Sequence, residues 1–222
     1  MPNRLLRNKA YRILKQNIVT LEYAPGRQII EKDLCNEIGI GRTPVREALQ
    51  RLASEKLIKI IPRKGIFISD INMWELSRLM EARIMLEGYC IRKVALLVTK
   101  GQIQKLRSFF LKAPELVENR KITDLLEIDR KFHMGLIALM DNFFIEEVAA
   151  KIYDQLARTW YLSFSRRSQE ELMATVKEHL AIVDALESGR AGAAEQAVMT
   201  HLKNYQAKVM SIPPVHMSGQ TC

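Results

Sequence analysis

Apolar residues recur along the first seventy positions with a helical period that breaks at definite points. Leu5, Ala10, Ile13, Leu14, Ile18 and Leu21 share one helical face, and Tyr23-Ala-Pro-Gly26 stops that run. Residues 31–38, EKDLCNEI, predict a short helix that buries Leu34, Cys35 and Ile38. A corner at Gly39 to Gly41 leads into a third helix over about 42–56, with Val45, Ala48, Leu49 and Leu52 inward. Residues 57–61 and 65–68 are short β-rich runs joined by Pro62-Arg63-Lys64, the pattern of a two-stranded hairpin. The order helix, helix, turn, helix, hairpin predicts a winged helix-turn-helix.

Beyond Asp70 the pattern changes. Asn72 is placed to cap a new helix, and helical periodicity continues almost without interruption over 73–98, 101–118, 121–140, 143–167, 170–188 and 190–209. Gly101, Asn119, Asp141-Asn142 and Gly189 punctuate these spans. The fold class is therefore mainly α: an N-terminal winged helix-turn-helix over 1–71, an antiparallel helical bundle over 72–210, and a loosely ordered tail over 211–222 that contains Pro213-Pro214.

Charge separates the same two regions. Residues 1–72 hold 14 Lys and Arg against 7 Asp and Glu, whereas 73–222 hold 20 against 18. A basic front third calls for an anionic partner, most simply nucleic acid. The opening residues meet charges too often for a signal peptide and no run of 18 apolar residues occurs, so a cytoplasmic protein with no membrane partner is expected. Cys35, Cys90 and Cys222 are too few and too dispersed for a disulfide framework or a thiolate metal site.

The exposed positions of the front elements suit a duplex. The third helix begins at Gly41 or Arg42, so the N–H groups of its first turn are open to a phosphate, and Pro44 has no N–H to waste there. Arg42, Thr43 and Arg46 project from its leading end toward a major groove. Arg63 and Lys64 at the hairpin tip reach an adjacent minor groove or its phosphates, and Lys32 reaches a phosphate from the second helix. A plain solvated basic face is the competing reading.

Three of the four histidines fall in the helical region. Asp129 and His133 lie four apart, on one helix face. His179 and His201 flank the turn near Gly189, each about 15–18 Å from it at roughly 1.5 Å per residue, so an antiparallel pair of helices brings them to one level. One carboxylate and three imidazoles suit zinc, nickel, cobalt, manganese or iron, with positions left for water or an anion. Isolated helix histidines are usually satisfied polar side chains, and spacing alone leaves these two readings balanced. HExxH and a nucleophile elbow are both missing, so the sequence points away from an enzyme.

Residues 24–71, and in particular "RTPVREAL", "RLASEKLI" and "PRKGIFI", resemble the winged helix of the GntR family of bacterial transcription regulators. The remainder resembles the helical ligand-binding domain of its fatty-acid-regulator-like (FCD) branch, through "EARIMLEGYCIRKVA", "DRKFHMGLIALMDN" and "EHLAIVDALESG". The resemblance implies DNA reading by Arg42 and Arg46 with Thr43 nearby, Lys32 in the place of a basic residue on the preceding helix, and Gly65 closing the wing. It also implies a divalent metal on Asp129, His133, His179 and His201, and a small carboxylate or sugar-acid effector met by an arginine, for which Arg83 is the candidate. Gly41 departs from the family's usual Ser or Thr, so a hydroxyl contact is missing at that point.

Taken together, these features predict a homodimer on a near-palindromic double-stranded DNA operator, modulated by an effector at the metal site, and the resemblance implies pairing through the helical domain. A metal-dependent enzyme with an accessory basic domain, and a metal-free helical dimerisation domain on a DNA binder, are the alternatives.

Overall fold

The computed structural model describes residues 2–211, with side chains from residue 4 onward. The chain divides into two compact units after Asn72.

In the first unit, helix α1 (Pro2–Val19) buries Ala10, Leu14 and Ile18 against α3 (Arg42–Ser54), whose Val45, Ala48, Leu49 and Leu52 face it. Leu21, at φ 64°, turns the chain out of α1. Helix α2 (Glu31–Ile38) ends on Gly39, at φ 65°, where a left-handed residue costs glycine nothing. A polar clasp fastens α1 to α3. Tyr11 and Lys15 both donate to the Glu55 carboxylate, at 2.7 and 2.9 Å, and Arg51 lies over the Tyr11 ring while its Nε reaches Glu55 at 3.1 Å.

The wing is larger than the hairpin predicted from sequence. Strands β2 (Ile58–Ile61) and β3 (Gly65–Ile68) pair as expected, but β1 (Gln28–Ile29) joins the far side of β3 to give a three-stranded antiparallel sheet in the order β1-β3-β2. Two residues carry too little periodicity to announce a strand. At the tip, Arg63 sits at φ 63° and Gly65 at φ 120°. Gln28 Nε2 donates to the Lys64 carbonyl at 3.0 Å, and a Cβ on residue 65 would stand 2.7 Å from that same nitrogen. Any other residue there would displace the Gln28 amide and strain the backbone.

The second unit is a bundle of α4 (Met73–Val94), α5 (Lys100–Ser108), α6 (Ala113–Glu118), α7 (Ile122–Ala138), α8 (Phe143–Ser165), α9 (Gln169–Glu187) and α10 (Ala191–Met210). The single helix expected over 101–118 is two. Pro114, in the first turn of α6, has no N–H to donate, and its ring would collide with the residue 110 carbonyl if α5 ran on, so the chain turns over 109–112. Capping boxes Thr99/Gln102 and Ser168/Glu171 and the Asn142 cap start α5, α9 and α8. Helix α10 lies along α4 and α9, and α7 lies along α8. Cys90 is fully buried in this core and burial pushes its thiol up to about 11, the behaviour of a packed residue rather than a nucleophile. Ser211 caps α10, and the rest of the tail expected from 211 lies outside the described residues.

Candidate functional site

Helix α7 carries Asp129 and His133, α9 carries His179 and α10 carries His201, and all four side chains are buried where these helices meet. Their ligand atoms lie within 4.8 Å of one another. His179 Nε2 is 3.1 Å from both His133 Nε2 and Asp129 Oδ1, while His133 Nε2 is 3.9 Å from Asp129 Oδ1. Cis and trans donors about 2.1 Å from one ion stand roughly 3.0 and 4.2 Å apart, which is the scale of this cluster.

What turns these atoms inward is a ring of acceptors behind them. His133 Nδ1 meets Glu87 Oε2 at 2.7 Å, His179 Nδ1 meets the Thr175 carbonyl at 2.8 Å, and His201 Nδ1 meets Glu178 Oε2 at 2.9 Å. A carbonyl oxygen only accepts and both carboxylates are held in the ionised range, so the tautomer with its proton on Nδ1 satisfies all three acceptors, and in that tautomer the Nε2 lone pairs face the centre. Burial, reinforced by the other imidazoles, brings His201 down to about 3; burial likewise lowers His133, against the pull of Glu87. Burial opposes ionisation of Asp129, but contact with His179, the neighbouring imidazoles and the Arg83 guanidinium outweigh it and hold the carboxyl well below its usual range. Three imidazole nitrogens and a carboxylate oxygen converging in this way could hold a cation between them. The donor set therefore fits a divalent transition metal.

Arg83 lies behind this ring, 2% exposed. Its Nε donates to Glu87 Oε1 and its Nη2 to the Tyr153 hydroxyl at 2.6 Å, while the Tyr153 hydroxyl itself donates to Glu87 Oε1 at 2.6 Å. Glu87 thus joins α4 and α8 to the His133 imidazole of α7. The pairing of Arg83 with Glu87 is visible as i,i+4 spacing in the sequence, whereas the contact from Glu87 to His133, 46 positions away, leaves no local trace. Beside the cluster, Phe110, Leu125, Phe164, Thr175, Asp129 and His179 line a narrow crevice with room for little more than a water molecule.

In the first unit Lys32, Arg42, Thr43, Arg46, Arg63 and Lys64 are all exposed. Gly41 is the N-cap of α3 and no side chain caps that end. Arg46 is not paired along its own helix; its Nε reaches Glu31 of α2 at 2.7 Å.

A three-helix head with a β wing, followed by a helical bundle with a buried histidine cluster, defines a class of DNA-binding regulators, and comparison with known proteins agrees. Residues 6–68 match the model of bacterial regulatory proteins of the gntR family and residues 78–204 match the FCD domain. The chain belongs to the GntR family, in its FCD-bearing branch, and is a transcription regulator rather than an enzyme. It is 28% identical over 211 residues to the HTH-type transcriptional repressor RspR of Escherichia coli K12, covering 95% of this chain and 92% of that protein. A transcriptional regulator from an unstable DNA locus of Streptomyces ambofaciens is 30% identical, over 89% of this chain and 82% of its own length. Among solved structures, E. coli McbR/YncC superposes with a TM-score of 0.80 at 18% identity, covering 92% of this chain and 96% of that one. An FCD domain described as metal-free gives 0.52 at 19% identity, over 63% of this chain and 94% of its own. Among the described residues no helix is long and apolar enough to cross a membrane.

Proposed function

We propose that this regulator binds a two-fold operator as a homodimer and that its affinity is set by a small acid held at a divalent transition metal on Asp129, His133, His179 and His201. The observation that carries the reading is the outward anchoring of all three Nδ1 atoms, which leaves three imidazole lone pairs and a carboxylate aimed at one point. When bound, the metal supplies a Lewis-acid centre for a carboxylate. The ligand helices α7, α9 and α10 are then drawn together, and Glu87 passes the position of His133 to α4.

On the DNA side, Arg42, Thr43 and Arg46 enter the major groove from the open end of α3, Lys32 meets a phosphate, and Arg63 and Lys64 are presented by the wing that Gly65 closes. Glu31 holds the Arg46 guanidinium until the duplex replaces it. Arg83 is offered as the effector's arginine by family likeness; with both Glu87 and Tyr153 in hand, we assign it instead to orienting Glu87.

The test is elemental analysis of untagged protein purified without added metal, then after incubation with Zn2+, Ni2+, Co2+, Mn2+ or Fe2+, beside a variant with His133→Ala and His179→Ala. About one metal per chain in the first and less than about a tenth in the second is expected, since two of four ligands are gone. Wild-type protein that takes up none of the ions would sink the metal reading and leave the DNA-binding one standing.

A further inference from the structure

Helix α1 carries Arg4, Arg7, Lys9, Arg12 and Lys15 and not one Asp or Glu. Their placement runs against the field of the helix, which favours acids in the first turn and cations in the last. Here the first two turns hold Arg4 and Arg7 with no acid, and the last turn holds no basic residue. A helix arranged this way gives up some stability at its start. Partners on α3 and just beyond it account for two of the five charges: Lys15 meets Glu55 at 2.9 Å, and Arg7 lies 3.6 Å from Glu47. Arg4, Lys9 and Arg12 are exposed, and among the described residues no carboxylate lies within ion-pair distance of them.

Helices α1 and α3 run side by side in the same direction. Arg7 faces Glu47, Tyr11 faces Arg51 and Glu55, and Lys15 faces Glu55, so positions on the two helices rise together. Glu47, Arg51 and Glu55 form one i,i+4 row, and Thr43 is its next member toward the leading end of α3. Arg4 shares the edge of α1 that carries Tyr11 and Lys15. One turn back from the contact between Arg7 and Glu47, it comes level with Thr43, at the end of the head that presents Arg42, Thr43 and Arg46. Lys9 lies about 140° away round α1, at roughly 100° per residue, and points off the α3 side. Glu47 is the only carboxylate on α3, and Arg7 offsets its charge at this same end.

We propose that the start of α1 is a further phosphate-binding element of the head: Arg4 takes a backbone phosphate flanking the groove that α3 enters, while Arg7 neutralises Glu47 and clears the approach. The inference rests on the DNA reading above and adds to it a contact that carries no sequence information. Such a contact has a signature that a base contact lacks. It releases counterions, so each one contributes about 0.9 to the slope of log affinity against log salt, whatever the sequence.

The experiment titrates full-length wild type, Arg4→Ala, Arg4→Lys, Lys9→Ala and Arg42→Ala by fluorescence anisotropy over a range of salt. Two duplexes are used, one enriched by the wild-type chain from a random-sequence pool and the other poly(dI-dC). Arg4→Ala is expected to bind both more weakly by the same factor, roughly three- to tenfold for each chain bound, and to flatten the salt slope by about 0.9 per chain. Arg4→Lys, which keeps the charge, is expected to stay within about twofold of wild type. Lys9→Ala removes the same charge from the same helix and is expected to move the slope less than about a third as far. Because Arg4 is exposed, its loss is expected to leave the melting temperature within about two degrees of wild type.

An unchanged slope in Arg4→Ala, or an equal change in Lys9→Ala, would overturn the assignment. A loss seen on the selected duplex and not on poly(dI-dC) would also overturn it, by making Arg4 a base reader. Arg42→Ala separates these failures from failure of the DNA reading itself. It is expected to weaken the selected duplex far more than poly(dI-dC); if it weakens neither, the leading end of α3 does not face DNA and the placement of Arg4 falls with it.

Discussion

Arg42 and Arg46 on α3 stand in solvent, whereas Arg83 and Arg167 in the bundle are almost wholly buried. The same side chain does opposite work in the two units. An exposed guanidinium costs little to keep and is available to a polyanion, so its removal is felt in binding and not in folding. A buried one has been taken from water, and its partners decide whether the unit is stable without a ligand. Net charge counts both kinds alike, and the 20 Lys and Arg of residues 73–222 are balanced by 18 Asp and Glu, which is why the basic front third of the sequence stands out and the charged interior of the bundle does not.

The contrast breaks most visibly at Glu87. Its carboxylate is the only anion within ion-pair reach of Arg83 among the described residues, and Glu87→Ala is expected to lower unfolding free energy by about 3–5 kcal/mol by leaving that cation buried and unpaired. Urea unfolding followed by circular dichroism checks it, and a loss below about 1 kcal/mol would mean that water or rearrangement satisfies Arg83. The opposite outcome is expected at α3. Arg42→Ala is expected to weaken operator binding between about 10- and 100-fold at fixed salt while leaving the urea midpoint unchanged. Fluorescence anisotropy gives the first quantity; a stability loss there, or undiminished DNA affinity, would erase the division between the two kinds of arginine.

The smallest effect sharpens the comparison at an intermediate site. Glu55 is part-buried beneath Tyr11, Lys15 and Arg51. Burial raises its carboxyl, but these donors together outweigh it and leave the pKa lowered. A carboxylate with a depressed folded pKa contributes stability above its unfolded value, about 4.3, and loses it as pH falls through the folded value. Glu55→Gln is therefore expected to cost up to about 1 kcal/mol at neutral pH, discounted for partial exposure, and progressively less below about pH 4. Thermal melts of both proteins from pH 3 to 8 would show the two curves converging in acid, and a gap that persists there would assign the loss to packing.

Much of this arrangement was legible in the sequence because it is local. The i,i+4 spacing of Asp129 and His133 and the equal distances of His179 and His201 from Gly189 depend only on helix geometry, and the structure brings these four side chains together. The Arg42–Arg46 face is legible for the same reason. The acceptors behind the histidines are not, because Glu87 and Glu178 read as ordinary helix carboxylates until α7 and α10 are packed against them. Arg167 sits in Ser-Arg-Arg-Ser, a composition that suggests a solvated turn, and only the closure of Phe164 and Tyr205 over it says otherwise. The break before α6 was readable from Pro114, and the two-residue β1 was not, since its pairing is entirely with β3.

The wing tip also constrains how this sequence can change by descent. Gln28 occupies the space where a side chain on residue 65 would have to go, so an alanine arising at 65 must first evict it. Shortening Gln28 beforehand opens the space, yet the backbone of residue 65 remains at φ 120°, a conformation that only glycine adopts freely. The dependence therefore runs one way. A change at 28 gives up one hydrogen bond to the Lys64 carbonyl, while position 65 is released from none of its backbone strain by any change at 28.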